Sequence, residues 1–192
     1  FETILQQLKD KQAFQKQAED EELRAEIQSK ITKILGSELT LKQSSILGEH
    51  IRNYAALQEN QSVVSVLREQ IAFAFSDLAS RLSGNNEFSQ ARQAVKIAQE
   101  FKPDLANISR VSQSIDDAES DYLDEAAQRE QASKTEGLKA SFLSKVEAAQ
   151  ILEAESILTE LSERLPDNDA FFEFAENKFT EAYLSLGERE LN

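Results

Sequence analysis

Apolar side chains recur along most of this chain at intervals of three and four, the spacing that puts them on one face of an α-helix. Leu23, Ile27, Ile31, Ile34 and Leu35 form a first stripe, interrupted by Gly36-Ser37. Leu39, Leu47, Ile51, Tyr54 and Leu57 mark a second, and the polar run Gln58-Glu59-Asn60-Gln61 breaks the pattern again. Val63, Val64, Val66, Leu67, Ile71, Phe75, Leu78 and Leu82 carry a long helix into Ser83-Gly84-Asn85-Asn86. Phe88, Ala91, Val95 and Ala98 continue to Lys102-Pro103-Asp104, and a further helix runs from near Leu105 through Ile108, Val111 and Ile115. Between Gln131 and Gly137 the apolar spacing lapses, which predicts a turn or kink. Leu138, Phe142, Leu143 and Val146 stripe the next helix, and Ile151, Ala154, Leu158 and Leu161 the one after it, which stops near Leu165-Pro166-Asp167-Asn168. Phe171, Phe172, Phe174, Phe179, Tyr183 and Leu186 belong to a final helix with Gly187 near its end. Several of these stops carry helix-ending chemistry, because proline cannot continue a helix and glycine readily takes the left-handed cap.

Composition agrees with an all-α chain. Only five glycines and two prolines occur in 192 residues. So few turn-formers cannot fold the chain back often enough for a many-stranded β protein. The chain begins at Phe1 without a methionine and ends inside a helical pattern, so we expect one helical region, residues 1–192, cut from a longer protein. Ser83-Gly84-Asn85-Asn86 supplies residues that tolerate positive φ, as a tight interhelical corner needs. It lacks the further glycines and the lysine of a phosphate-binding loop, so a corner is the expectation rather than a ligand site.

Phe75, Leu78, Ala79 and Leu82 lie on one helix face, Gly84 and Asn86 make the turn, and Phe88, Ala91, Val95, Ala98 and Phe101 stripe the return before Pro103-Asp104. This spacing resembles the tetratricopeptide repeat, a helix–turn–helix unit of about 34 residues. The match is good over residues 72–104. A weaker one covers residues 138–167, where Ser141 and Phe142 reverse the expected order of large and small, and residues 22–57 resemble another degenerate unit turning at Gly36. The helix after Asn168 is similar to the first half of a further unit, 168–192. Pro103 and Pro166 lie 63 residues apart, nearly two repeats, and the segment 104–135 reads as either a divergent unit or one long helix. The resemblance implies stacked antiparallel helix hairpins in a right-handed solenoid, with long or irregular helices.

Charge narrows the partners. There are 21 Lys and Arg against 35 Asp and Glu, for a net charge of −14. That field repels nucleic acid and anionic membrane surfaces. No apolar run is long enough to span a membrane, so no membrane insertion by this region is expected. Six acids fall between Asp116 and Glu125, including Asp116, Asp117, Asp121 and Asp124, and Glu19-Asp20-Glu21-Glu22 is a second run. Either is a solvated face or a docking patch for a basic partner. The chain has no cysteine and one histidine, His50, so the usual zinc sites and cysteine nucleophiles cannot be built within it. No Gly-x-Ser-x-Gly elbow occurs. Asp167-Asn168-Asp169 begins like a calcium loop, but Phe171 and Phe172 stand where a ligand and glycine are needed. The segment from Asp117 to Gln128 fails through Tyr122 and Gln128. No catalytic, cofactor or metal site is expected, and nothing in the sequence identifies a compartment.

The function expected is therefore a non-catalytic scaffold or adaptor that binds a protein or peptide. The resemblance implies that Phe73, Ser76, Ser80 and Ser83 face a groove, without the Lys/Asn set that clamps a carboxyl terminus in chaperone-binding members. The alternative is a sensory or regulatory region of a larger bacterial signalling protein, such as a serine/threonine kinase. Phe171, Phe172, Phe174, Phe179 and Tyr183 diverge around their helix, and a helix apolar on more than one side is normally covered on both. The cover expected is either a next unit of a longer chain or a second copy of this one, and self-association through this end, as a homodimer, is predicted. Light scattering at high concentration should report a mass above that of one chain; a clean monomer would count against the dimer.

Overall fold

The computed structural model describes residues 2–57 and 61–190. These residues form seven α-helices: α1 (Glu2–Leu35), α2 (Ser44–Leu57), α3 (Gln61–Gly84), α4 (Phe88–Phe101), α5 (Ile108–Glu147), α6 (Ile151–Ser162) and α7 (Ala170–Glu190). A 3-10 turn, Leu41–Gln43, precedes α2, and there is no strand among the described residues. The polar break expected at Gln58-Glu59-Asn60 lies outside those residues. Two compact units divide the chain, the first ending at Tyr122 and the second beginning at Leu123.

In the first unit the predicted stripes become one core. Ile31, Leu47, Ile71, Ala72, Phe75 and Ala79 are fully buried there, with Ala91, Ala94 and Ala98 of α4. α3 and α4 form its most extensive helix pair. Alanine at the inner positions of both helices removes the side-chain bulk that would hold them apart, and dispersion contacts reward the close approach. Phe75 fills the remaining space and stacks on Phe101, with ring centroids 6.2 Å apart and planes 6° from parallel. Arg24 of α1 donates to the carbonyl oxygen of Leu57 at 3.0 Å, which satisfies a terminal acceptor of α2.

The second unit has a separate and smaller core. Phe142, Val146, Ala154 and Ala175 are buried, and Leu143, Ile157, Leu158, Phe171, Phe179 and Ala182 pack around them.

The Ser83–Asn86 segment is a helix corner. The Glu87 amide donates to Leu82 O at 2.9 Å and the Asn86 amide to Ser83 O at 2.9 Å. These are the two bonds of a Schellman C-cap. Asn86 takes the left-handed residue, with φ 63°, whereas Gly84 stays in the last turn of α3 and no described glycine has positive φ. Glycine is therefore not what the corner requires; asparagine fills that role.

The same corner recurs between α5 and α6, where Gln150 donates to Lys145 O at 2.9 Å and Ala149 to Val146 O at 3.0 Å. Ala149 holds the left-handed position, with φ 57°. The two corners are offset by 63 residues, like Pro103 and Pro166. At that offset Ala91 corresponds to Ala154 and Ala98 to Leu161, and all four are fully buried. The amide of Lys102 donates to Ala98 O, and that of Leu165 to Leu161 O, so the helix ends correspond too. Ala79 corresponds to Phe142, both fully buried. That substitution of a large residue for a small one is the reversal visible in the sequence.

The turn predicted between Gln131 and Gly137 does not form, because α5 runs unbroken from Ile108 to Glu147. The apolar spacing lapses because residues 120–134 are exposed on every side, and such a helix has no buried face to mark. Local pairs support it instead: Arg129 with Glu125 at 2.7 Å, Lys134 with Glu130 at 2.6 Å and Lys139 with Glu136 at 3.1 Å. Residues 104–135 are thus not a separate helical pair; from Ile108 they belong to one long helix.

An alanine in the left-handed region is strained where glycine would not be. Ala149→Gly should stabilise the second unit by about 1 kcal/mol, and a thermal melt followed by circular dichroism checks it. An unchanged or lower midpoint would contradict the corner geometry.

Candidate partner-binding surface

The four residues expected to line a groove fall on two different faces of α3. Phe73 and Ser80 are seven apart and point outward, with Val66 a further seven back on the same exposed stripe. Phe73 is 48 % and Val66 54 % accessible. Ser76 and Ser83 form a parallel stripe about 60° round the helix, and there they are buried, at 2 % and 8 %. Spacings of three and four group both stripes together, and only the position of the core separates them. The Ser76 hydroxyl has no hydrogen-bond partner among the described residues, although its backbone carbonyl accepts from Ser80 Oγ at 3.2 Å.

Beside the corner lies a cleft of about 460 Å³ between the segment before α2 and the end of α3. Leu39, Leu41, Leu78 and Leu82 form its apolar part, and Lys42, Arg81 and Asn85 stand among its polar groups. Asn85 thus brings the corner against a cavity after all. Sequence reasoning missed this cleft because Leu39 lies in irregular backbone and Leu41 in a single 3-10 turn, too short for an α-helical period to mark their direction.

The acidic run on α5 is partly used within the fold. Arg92 of α4 reaches Asp116 at 2.8 Å and Glu119 at 2.5 Å. The hydrogen bonds to Glu119 and Asp116 raise the Arg92 guanidinium further above its already high range. Asp117 accepts from Gln113 at 2.8 Å, and Phe88 packs against Tyr122 at 5.8 Å. Asp121 and Asp124 are exposed and make no hydrogen bond or ion pair with described residues. The electrostatic patch available to a partner is therefore smaller than the sequence suggests.

In the second unit, the aromatic residues of α7 divide in a similar way. Phe171 and Phe179 meet Phe142 edge-on at 5.5 and 5.3 Å. Phe172 lines a shallow cleft with Leu158 and Ser162 of α6. Phe174 and Tyr183 remain exposed. The surface expected to join two copies thus retains two of its five aromatic side chains in the open. α1 carries an exposed set that the sequence reading did not single out: Ile4, Leu5, Leu8 and Phe14. Ile4, Leu5 and Leu8 share one helix face and were a signal available in the sequence, whereas Phe14 falls outside that short stripe.

Among the described residues no cluster of His, Asp or Glu could hold a metal ion, and no helix is long and apolar enough to cross a membrane. No family model matches the chain, and no curated protein or solved structure matches it either.

A buried hydroxyl without a partner costs free energy that an apolar group of similar size does not. Ser76→Ala should leave the first unit unchanged or up to about 1 kcal/mol more stable in urea denaturation. A loss of more than about 1 kcal/mol would show that the hydroxyl is bonded in solution.

Proposed function

We propose that this chain is a non-catalytic scaffold that binds another protein, built from antiparallel helical hairpins stacked in a tetratricopeptide-like manner. The support for stacked hairpins is the duplicated corner, with its helix-end bonds and the buried positions Ala91 and Ala98 repeated 63 residues on as Ala154 and Leu161. The support for binding is the outer stripe of α3. Its inner face is buried in the core of the first unit, which fixes the helix that carries Val66, Phe73 and Ser80. A half-exposed phenylalanine held this way can anchor a partner at little cost in conformational entropy. Asp121 and Asp124 would add attraction for a basic partner segment, and Phe174 and Tyr183 are the contacts still open for pairing of two copies through α7.

The test is affinity capture followed by reconstitution with the purified partner. Phe73→Ala should weaken the reconstituted complex about tenfold or more while helical content stays unchanged. Equal affinity for the wild type and the variant would remove Phe73 from the interface.

A further inference from the structure

A second surface of the first unit has a different chemistry. Two small clefts, of about 240 and 320 Å³, adjoin one another along α2, α3 and the end of α4, and Arg68 and Phe101 line both. Gly48 opens the first of them. Arg52 Nη1 and Phe101 Cζ lie 3.6 and 4.0 Å from the position that a Cβ on Gly48 would take. The floor is firm, because Phe101 stacks on the fully buried Phe75. Val64 and Pro103 extend the apolar lining into the second cleft.

Both arginines are without an ion pair among the described residues, although the chain has 35 acidic groups to supply one. Glu100 stands on the rim of the first cleft and pairs with neither; Lys102, in the second, is engaged by Asp104 at 3.3 Å. The second unit offers an internal comparison. At the offset of 63, Arg68 and Phe101 correspond to Gln131 and Arg164. There the arginine is closed off: Arg164 donates to Gln131 Oε1 at 3.1 Å and to Glu160 at 3.0 Å. In the first unit the same pair of positions sets a guanidinium beside a ring that can accept no ordinary hydrogen bond. The fold can satisfy charge at this place and here leaves it available.

We propose that the clefts over Gly48, flanked by Arg52 and Arg68, dock an acidic segment of a partner protein, its carboxylates on the two guanidinium groups and its apolar side chains on Phe101. Charge complementarity selects the occupant: unpaired arginines prefer planar carboxylates, and two adjoining clefts suit an extended chain better than a single small anion. The inference rests on the scaffold reading only in taking the ligand to be a protein, and it concerns a different face of the unit.

A fluorescent, end-blocked peptide of alternating Glu and Leu, titrated with the intact chain at low salt, provides the test. It should bind, and the corresponding Gln–Leu peptide should bind at least tenfold more weakly. Arg52→Gln and Arg68→Gln should each weaken binding about tenfold. Gly48→Leu, which fills the opening and favours helix, should abolish binding without loss of helical content. Unchanged affinity in Arg68→Gln would overturn the proposal. So would displacement of the peptide by equimolar inorganic phosphate, which would mark a small-anion site. Self-association of the wild type that is lost in Arg68→Gln would also overturn it, by identifying a second copy as the occupant. Phe73→Ala should leave peptide binding intact, so failure of this site and failure of the α3 outer stripe give different results.

Discussion

The distance between α3 and α4 is the constraint to which the first unit is fitted. It is short because Ala72, Ala79, Ala91, Ala94 and Ala98 place almost nothing between the two backbones. Once that distance is set, Phe75 has one place to go, and its stacking on Phe101 fixes the floor of the arginine-lined clefts. The outer stripe of α3 is positioned by the same contact, since rotating the helix would expose the buried alanines and bury Phe73. Both candidate surfaces thus depend on small residues that touch no partner.

Much of the fold was legible in the periodicity, and the exceptions have a common origin. A stripe reports that a helix is buried on one side; it is silent about a helix exposed on all sides. The core positions Ile31, Leu47, Ile71 and Phe75 followed from spacing alone, whereas the middle of α5 was misread as a turn because residues 120–134 have no buried face. The corner at Ser83–Asn86 was located by composition, yet the left-handed residue is Asn86 and not Gly84. The change of stripe between Val146 and Ile151 located the matching corner, but nothing marked Ala149 as its left-handed residue, since alanine is a poor choice for it; the backbone hydrogen bonds reveal the equivalence.

Functional residues were less legible, for a geometric reason. Positions three and four apart lie close on a helix surface, yet the 60° between the Phe73 and Ser76 stripes separates an exposed ring from a buried hydroxyl. Charged residues were harder still. Asp116 and Glu119 were read as part of a solvated face or docking patch, but Arg92, one turn into α4, pairs with both and offsets part of their charge. Arg52 and Arg68 drew no attention in a chain with so many acids. Which charges find partners depends on tertiary placement, and composition sums over it.

The exposed middle of α5 has a consequence for cooperativity. Its two ends are each anchored in a different hydrophobic core, while the stretch between them has only i,i+3 and i,i+4 partners to resist fraying. Such pairs contribute a few tenths of a kcal/mol each, far less than core burial. The backbone hydrogen bonds of one continuous helix therefore differ widely in the free energy needed to open them, and the unit of secondary structure is not the unit of folding. α5 is one helix by its backbone but divided in thermodynamics, and the hydrogen bonds of its exposed middle are expected to open first, the reverse of an isolated helix, which frays from its ends.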